Sequence, residues 1–175
     1  MCFLASSATS LCGEAVVQPK PGPEHKKLEI AVGEWNYEGE AKTSPFGPAG
    51  KFRGKNTSRM VLNGFFVETR WEDKSDVNYV AQGIILRGYD ATKKTYVDYG
   101  FENDGSVTPS SMTVSGNTWT GMGTRRDNKG KVYQMKFTLT YSADGKSTAE
   151  KAEYSGDNGK TWMTFYELTN KKVSN

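Results

Sequence analysis

Cysteine and histidine are nearly absent from this chain. Its two cysteines, Cys2 and Cys12, lie close to the N-terminus, and its one histidine is His25. No disulfide can therefore hold the body of the protein together, and the count excludes metal sites of the Cys/His type. A Ser-His-Asp set cannot be built around a lone N-terminal histidine, and nucleophile-elbow and phosphate-loop motifs are missing. We expect no metal site and read His25 as a surface residue.

Long apolar runs and clusters of basic residues are also missing. No stretch is long enough to span a membrane as a helix. The net charge is +3, and the basic residues occur as isolated pairs such as Lys93-Lys94 and Arg125-Arg126, which we interpret as solvated strand ends and turns. Nucleic-acid binding requires clustered basic residues with aromatic residues between them. We therefore expect neither a membrane span nor a nucleic-acid partner.

Residues 1–20 differ in composition from the rest of the chain. The first eight are apolar and then small, like the end of a secretory signal with its cleavage zone, but they lack a basic n-region. Two interpretations stay open, a remnant of a secretory signal cleaved near Ala8 or Ala15, and a disordered tail. The first predicts a periplasmic or secreted protein and the second a cytoplasmic one.

A short helix is predicted at Pro23–Val32. Proline begins it, Glu24 lies in its first turn, and Gly33 follows its last apolar residue. Leu28, Ala31 and Val32 form one apolar stripe. We expect this stripe to close one end of the β-structure that the following residues form.

Apolar and polar residues alternate from Gly33 to Leu168, with a Gly-, Asn- or Asp-containing turn every 8–15 residues. Such a pattern predicts antiparallel strands joined by hairpins, and short connections predict an up-and-down order. We expect an all-β fold, an up-and-down antiparallel barrel of about ten strands, in a single domain over residues 21–171. The predicted strands are Glu34–Thr43, Gly50–Leu62, Phe65–Lys74, Asn78–Tyr89, Thr95–Glu102, Ser106–Val114, Thr118–Arg125, Lys131–Tyr141, Lys146–Tyr154 and Thr161–Thr169.

The period of two assigns side chains to faces of the strands. Two bulky sets carry hydroxyl groups that a wholly packed core does not need, so they are our candidates for the wall of a ligand cavity. The alternative is that they simply fill the core. The candidates are Phe65, Val67, Thr69, Trp71, Tyr133, Met135, Phe137, Leu139 and Tyr141.

Charged residues within the predicted strands are the only candidates for catalysis. Glu68, Arg70, Asp98 and Glu102 would serve an enzyme of the barrel type. The ordinary interpretation is that they form exposed cross-strand pairs. No catalytic residue is assigned from the sequence.

Gly33-Glu34-Trp35, placed between a helix and the first strand, resembles the Gly-x-Trp signature of lipocalins and other calycins. The resemblance implies that Gly33 and Trp35 are structural and that Trp35 closes the barrel base. Further motifs look like the bacterial family known as domain of unknown function 1579, which implies the same barrel and no established activity. Those motifs are Pro21-Gly22-Pro23-Glu24-His25-Lys26-Lys27-Leu28, Val32-Gly33-Glu34-Trp35, Gly39, Ser44-Pro45-Phe46-Gly47-Pro48, Asn63-Gly64-Phe65-Phe66-Val67, Gly88-Tyr89-Asp90-Ala91 and Asp157-Asn158-Gly159-Lys160-Thr161-Trp162.

Two weaker resemblances affect the choice of site residues. The stretch from Ser155 to Trp162 is similar to the Asp-box of sialidase propellers, which implies a structural turn held by Asp157 and Gly159 and covered by Trp162. Nitrobindin is similar in its helix and Gly-x-Trp start, and it binds haem through a late histidine. Since no histidine follows His25, we expect no haem and no other cofactor.

Three functions are compatible with these observations. The first is a non-enzymatic barrel that binds a small apolar or amphipathic molecule, an inference by analogy of fold. The second is an enzyme that acts on a lipid-like or aromatic substrate in the same cavity. The third is a packed barrel that acts through its surface, for instance as a homodimer. A structure would distinguish these functions. Ordered charged side chains inside the cavity would favour the enzyme, and a dry, filled interior would favour the packed barrel.

Overall fold

Ten antiparallel strands close into one barrel in which each strand pairs with its neighbours in sequence and β10 pairs with β1. The structure is a computed structural model and describes residues 18–75 and 81–174. The predicted up-and-down barrel is confirmed. The strands are β1 Gly33–Ala41, β2 Gly50–Val61, β3 Phe66–Ser75, β4 Gln82–Asp90, β5 Thr95–Glu102, β6 Val107–Ser115, β7 Thr118–Arg126, β8 Val132–Tyr141, β9 Ser147–Ser155 and β10 Met163–Ser174.

The predicted N-terminal helix is present, but only its first part is α-helical. Helix α1 covers Pro23–Lys26, and a 3₁₀ turn continues it over Lys27–Ala31. The tightening is usual where a short helix ends, and here Val32 N–H donates to the Glu29 carbonyl at 3.0 Å. A short 3₁₀ turn, Leu62–Gly64, also connects β2 to β3.

The N-terminal segment closes one end of the barrel, which we call the capped end. Leu28 is 1% exposed there and belongs to the same buried cluster as Trp35, with Ile30, Ala31 and Val32 packed against it. Trp35 is 3% exposed, and its indole N–H donates to the Ala31 carbonyl at 2.9 Å. The predicted plug and the burial of Trp35 are therefore observed.

Gly33 makes the junction between this segment and β1 possible. Its φ is +129°, in a region that L side chains rarely adopt, and the residue is buried. A side chain here would strain the backbone where the cap meets the first strand.

The structure corrects the placement of His25. The residue is 8% exposed, and its Nδ1 accepts a hydrogen bond from Gly22 N–H at 3.1 Å. Its ring packs edge-on against Phe65 and Tyr89 at centroid distances of 4.9 and 5.9 Å. His25 is therefore a component of the cap, not a surface residue, because α1 turns its inner face onto the barrel.

The open end lies opposite, where four connections of the described chain meet: residues 42–49, 103–106, 127–131 and 156–162. The signal-peptide interpretation of residues 1–17 falls outside the described residues. Within the described ranges, the structure contains no helix with the length and apolarity that a bilayer crossing requires.

Candidate functional site

The nine predicted wall residues divide into three groups in the structure. Five are buried and pack in the core: Val67, Tyr133, Met135, Leu139 and Tyr141. Three face the lumen and are only half-buried: Thr69, Trp71 and Phe137. Phe65 precedes β3 and packs on His25 at the capped end. Their ligand-binding role stays a prediction.

A charged wall lines the lumen on strands β4 to β7, and sequence reasoning missed half of it. Arg87 on β4 pairs with Asp98 on β5 at 2.7 Å, and Arg125 on β7 pairs with Glu102 on β5 through two contacts of 2.7 Å. We call Arg87, Asp98, Glu102 and Arg125 the charged wall. The side chains of Arg87 and Asp98 are each 13% exposed, so both pairs are largely shielded from solvent.

The interpretation of the strand charges as exposed cross-strand pairs holds for Glu68 and not for Asp98 or Glu102. Glu68 lies on the outer face, where its Oε1 is 3.0 Å from Arg59 Nη2 on β2 and 2.9 Å from Arg70 Nε on the same strand. Asp98 and Glu102 face inward, as does Arg125, which the sequence placed at a solvated strand end. The outer face of β5 carries Val97, Tyr99 and Phe101 instead, so hydrophobicity assigns the wrong face of that strand to the interior.

Two further carboxyl groups in the lumen are paired with phenols rather than with cations. Tyr37 donates its hydroxyl to Asp73, and Tyr166 donates to Oε1 of Glu150 at 2.6 Å. Burial raises the pKa of both carboxyls and of both tyrosines, because a low-dielectric surrounding disfavours each charged form. We call Asp73 and Glu150 the phenol-paired carboxyls.

These two carboxyls and the charged wall belong to one lumen. Glu150 lies within electrostatic range of Arg87 and Asp98, and Asp73 within that of Glu102. The groups therefore lie in one interior region of the barrel.

Four rings form an aromatic wall beside the phenol-paired carboxyls: Tyr37, Phe52, Trp71 and Tyr166. Phe52 lies 6.3 Å from Tyr37 and 6.1 Å from Tyr166 between ring centroids.

Glycines allow three of these rings to lie flat against the barrel. A methyl group at Gly39 would lie 2.7 Å from Cζ of Phe52, and one at Gly83 would lie 2.7 Å from Cζ2 of Trp71. The Tyr37 ring covers Gly54 in the same way. Because one face of each ring rests on a glycine, the other face is turned to the lumen.

Three buried polar atoms on adjacent strands have no hydrogen-bond partner among the described residues. They are Asp98 Oδ1 on β5, Thr108 Oγ1 on β6 and Arg125 Nε on β7. An unsatisfied buried polar atom costs about 1–3 kcal/mol, and most such atoms in folded proteins are satisfied by protein or by water. This part of the lumen is therefore suited to hold a polar group that both donates and accepts.

Phe46 partly covers the open end. It lies in the β1–β2 connection, and its ring packs against Tyr133, Tyr154 and Phe165 at centroid distances of 5.4, 5.7 and 5.1 Å. The Arg125 guanidinium lies 5.1 Å from the Phe46 ring. The connection thus covers the β7 to β10 side of the opening, above the charged wall.

The outer face of β5 to β7 is unusually apolar. Tyr99, Phe101, Val107 and Met122 are each 45–51% exposed there, and Phe101 pairs directly with Val107. Contiguous apolar patches of this kind on soluble proteins mark interaction sites more often than single exposed residues do.

The turn between β9 and β10 has the structure that the Asp-box resemblance implies. Asp157 Oδ1 accepts from Ser155 Oγ at 2.7 Å and from Thr161 N–H at 2.9 Å. Gly159 has φ +82° and donates its N–H to Ser155 Oγ at 2.8 Å. Trp162 lies against Gly159. The residues of the Asp-box-like motif therefore have a structural role in this turn.

Other candidate sites are weaker. No group of three or more His, Cys, Asp or Glu side chains among residues 18–75 and 81–174 is arranged to hold a metal ion. Two solvent-open grooves lie on the outer surface, one across β8, β9, β10 and β1 and one beside the cap. Neither contains any of the three unpartnered buried atoms.

Comparisons with known proteins support the barrel. The crystal structure of Rv2717c from M. tuberculosis superposes with a TM-score of 0.58 at 9% identity, covering 87% of this chain and 98% of that one. An S-type phycobiliprotein lyase, CPES from Guillardia theta, gives 0.56 at 12% identity, covering 89% and 99%. At such identities the likeness concerns the fold alone. No protein of curated function matches the sequence. A family match extends over residues 20–171, and the chain therefore belongs to the family described as protein of unknown function (DUF1579).

Proposed function

We propose that this barrel binds a small amphipathic molecule in its lumen. The observation that carries the proposal is the set of unpartnered buried atoms on Asp98, Thr108 and Arg125, which line the same lumen as half-buried aromatic rings. Ligand pockets combine mostly apolar walls with a few placed polar groups. The lumen has both kinds of surface.

The lumen is more polar than the sequence led us to expect. Phe137, Trp71 and Ile85 provide apolar surface for the body of a ligand. The charged wall provides ordered hydrogen-bonding groups where only hydroxyls were expected. The polar end of the ligand therefore lies among the charged and hydrogen-bonding groups of the lumen, and its apolar body lies against Phe137, Trp71 and Ile85.

A titration with N-phenyl-1-naphthylamine, a neutral dye that fluoresces in apolar surroundings, tests this proposal. We expect saturable binding near one dye per chain. Phe137→Glu places a charge in the lumen and should abolish binding, whereas Thr138→Glu places the same charge on the outer face of the same strand and should not. Equal binding by the two variants, with near-ultraviolet circular dichroism showing both folded, would place the dye elsewhere.

A second candidate is an enzyme that uses the same lumen. The ordered charges inside favour it, in particular Glu150, which has a raised pKa and lies within electrostatic range of Arg87. Carboxyls of this kind serve as general acids. Native mass spectrometry of protein purified without denaturation would identify a bound molecule. Turnover of that molecule by the parent, lost in Glu150→Gln while binding is kept, would support the enzyme.

We also propose that the apolar outer face of β5 to β7 is a contact between two copies of the chain. Interfaces are enriched in aromatic residues and Met, and Tyr99, Phe101 and Met122 lie together there. Sedimentation equilibrium should give a dimer that Phe101→Glu dissociates. Thr169→Glu on the outer face of β10 should leave it intact, and a monomeric parent would contradict the proposal.

A further inference from the structure

The charges inside the lumen do not balance. Four carboxyl groups and two guanidinium groups face it among the described residues, and both guanidiniums are already paired with Asp98 and Glu102. The ammonium of Lys172 shares this face at the capped end, where it lies over the Trp35 ring. Asp73 and Glu150 have phenol partners only. No ion pair to either is present within residues 18–75 and 81–174, so these two carboxyls are the groups that a charged ligand could still neutralise.

The aromatic wall lies between these two carboxyls. Tyr37 is hydrogen-bonded to Asp73, Tyr166 to Glu150, and the Phe52 ring lies about midway between the two tyrosines. Tyr37 lies within electrostatic range of both carboxyls. Rings with a free face attract cations through their quadrupole, most strongly where water is excluded. The carboxyls and the ring faces therefore lie in the same region of the lumen, and both attract positive charge.

We propose that the polar group of the ligand is an organic cation, an amine or quaternary ammonium, held between Asp73 and Glu150 against the rings of Tyr37, Phe52 and Tyr166. The inference rests on the proposed binding function and names the class of ligand that this lumen selects. An anion would meet the unpaired carboxyls at short range in a shielded space, where electrostatic repulsion is strong.

Burial of the two carboxyls also favours a cationic ligand. It raises the pKa of Asp73 and of Glu150, and the hydrogen bonds from Tyr37 and Tyr166, with the charge of Arg87 near Glu150, offset this only in part. A bound ammonium supplies a positive charge beside them. Asp98 Oδ1 is in addition a buried acceptor for which the described residues provide no donor.

Three amphiphiles with the same ten-carbon chain test the inference: decyltrimethylammonium, decanol and decanoate. Each competes with N-phenyl-1-naphthylamine for the parent protein, below its micelle-forming concentration. We expect the cation to displace the dye at a concentration lower by about tenfold or more than either competitor, in line with desolvated cation–π and ion-pair contacts.

Isosteric variants test whether Glu150 and Asp73 cause the preference for the cation over decanol. Glu150→Gln and Asp73→Asn keep an oxygen that accepts from the phenol but remove the negative charge, and each should reduce the advantage of the cation over decanol by about threefold or more. Glu153→Gln, on the outer face of the same strand as Glu150, should leave it unchanged. A decanol affinity equal to that of the parent shows that each variant lumen is intact.

The outcomes separate this inference from the binding proposal. If the dye binds and decyltrimethylammonium has no advantage over decanol in the parent, or keeps its advantage in both lumen variants, the cation inference is wrong and lumen binding stands. If the dye does not bind, and calorimetry shows no saturable binding of decyltrimethylammonium, both are wrong. A preference for decanoate would also overturn the inference.

Discussion

The hydroxyl of Tyr166 on β10 donates to Oε1 of Glu150 on β9 at 2.6 Å, inside the barrel. Burial, the largest cause, raises the pKa of both groups. Burial disfavours the charged form of each group, and no ion pair to Glu150 is present among the described residues. Arg87 and Asp98, by contrast, form an ion pair in the same lumen, so the lumen has one carboxyl with a cationic partner and one with a phenol partner only.

Glu150 should make the protein less stable as the pH rises. Because the pKa of Glu150 is higher in the folded state than the ordinary value of 4.5, the folded protein binds more protons than the unfolded one between the two values. Its contribution to stability is present below about pH 4.5 and is lost as the pH rises through the folded pKa. Glu150→Gln should make this decline less steep in urea unfolding measured from pH 4 to pH 9, and the part that remains belongs to Asp73 and Glu102, whose pKa burial also raises.

Asp157 should have the opposite effect on the pH dependence of stability, because its pKa is lowered in the folded state. Hydrogen bonds from the Thr161 hydroxyl and backbone lower its pKa from 3.8 to about 2. Its contribution is therefore lost as the pH falls between those values, and Asp157→Asn should flatten only that acidic range. A decline of stability with rising pH that is as steep in Glu150→Gln as in the parent would contradict the assignment to Glu150.

Trp35 should be among the most costly side chains to truncate. It is 3% exposed, donates to Ala31, packs against Tyr141 at 6.3 Å, and has Lys172 Nζ 4.9 Å from its ring. Trp35→Ala should lower the free energy of unfolding by about 3–5 kcal/mol. Trp162→Ala, at a half-buried turn position, is the control and should cost clearly less in the same denaturation experiment.

Gly83 should not tolerate a methyl group. A Cβ there would lie 2.5 Å from the Phe101 carbonyl oxygen and 2.7 Å from the Trp71 ring. Overpacking of this kind costs about 1–3 kcal/mol, and the displaced Trp71 ring should weaken dye binding as well. Gly100→Ala, which meets Thr108 at an ordinary 3.8 Å, should leave both stability and dye affinity close to the parent. Equal effects of the two substitutions would show that Trp71 does not rest on Gly83.

Phe46 should control exchange at the open end. Each of its aromatic contacts is worth about 0.5–1.5 kcal/mol, so Phe46→Ala should make the covering connection open more often. Stopped-flow measurement should show dye dissociation faster by about fivefold, with a smaller change in equilibrium affinity. Phe66→Ala, on the outer face of β3, should leave the dissociation rate unchanged, and a parental rate in Phe46→Ala would mean that exchange does not pass this loop.

The barrel could be predicted from sequence because its signals are local. Alternation around Tyr133 to Tyr141 and turns such as Asp144-Gly145 determine strands and hairpins without knowledge of the neighbours. Strand β4 is different, because Ile84, Ile85 and Leu86 are apolar on both faces, and nothing in the run says that Arg87 points inward.

The charged wall could not be predicted because hydrophobicity was used to decide which face looks in. Tyr99 and Phe101 are apolar but lie outside, so Asp98 and Glu102 were placed on the wrong face. The alternation of faces along β9 does predict that Glu150 points inward. Tyr154 is inward because it pairs with Met135, and Glu150 lies four residues before it, on the same face. Tyr37 on β1 and Asp73 on β3 lie on strands that are not adjacent, and their hydrogen bond forms inside the barrel across β2. Tyr166 on β10 reaches Glu150 on β9 diagonally, since the direct partner of Glu150 is Leu168. Neither contact follows from the pattern within one strand.

The most direct test of lumen binding is a titration of protein labelled with ¹³C-methyl methionine, followed by NMR. Met60, Met112 and Met135 point into the barrel, whereas Met122 is 45% exposed on its outer face. Ring currents of N-phenyl-1-naphthylamine should shift or broaden the methyl signals of Met135 and Met112 and leave that of Met122 in place. A shift confined to Met122, or none at saturating dye, would contradict the account.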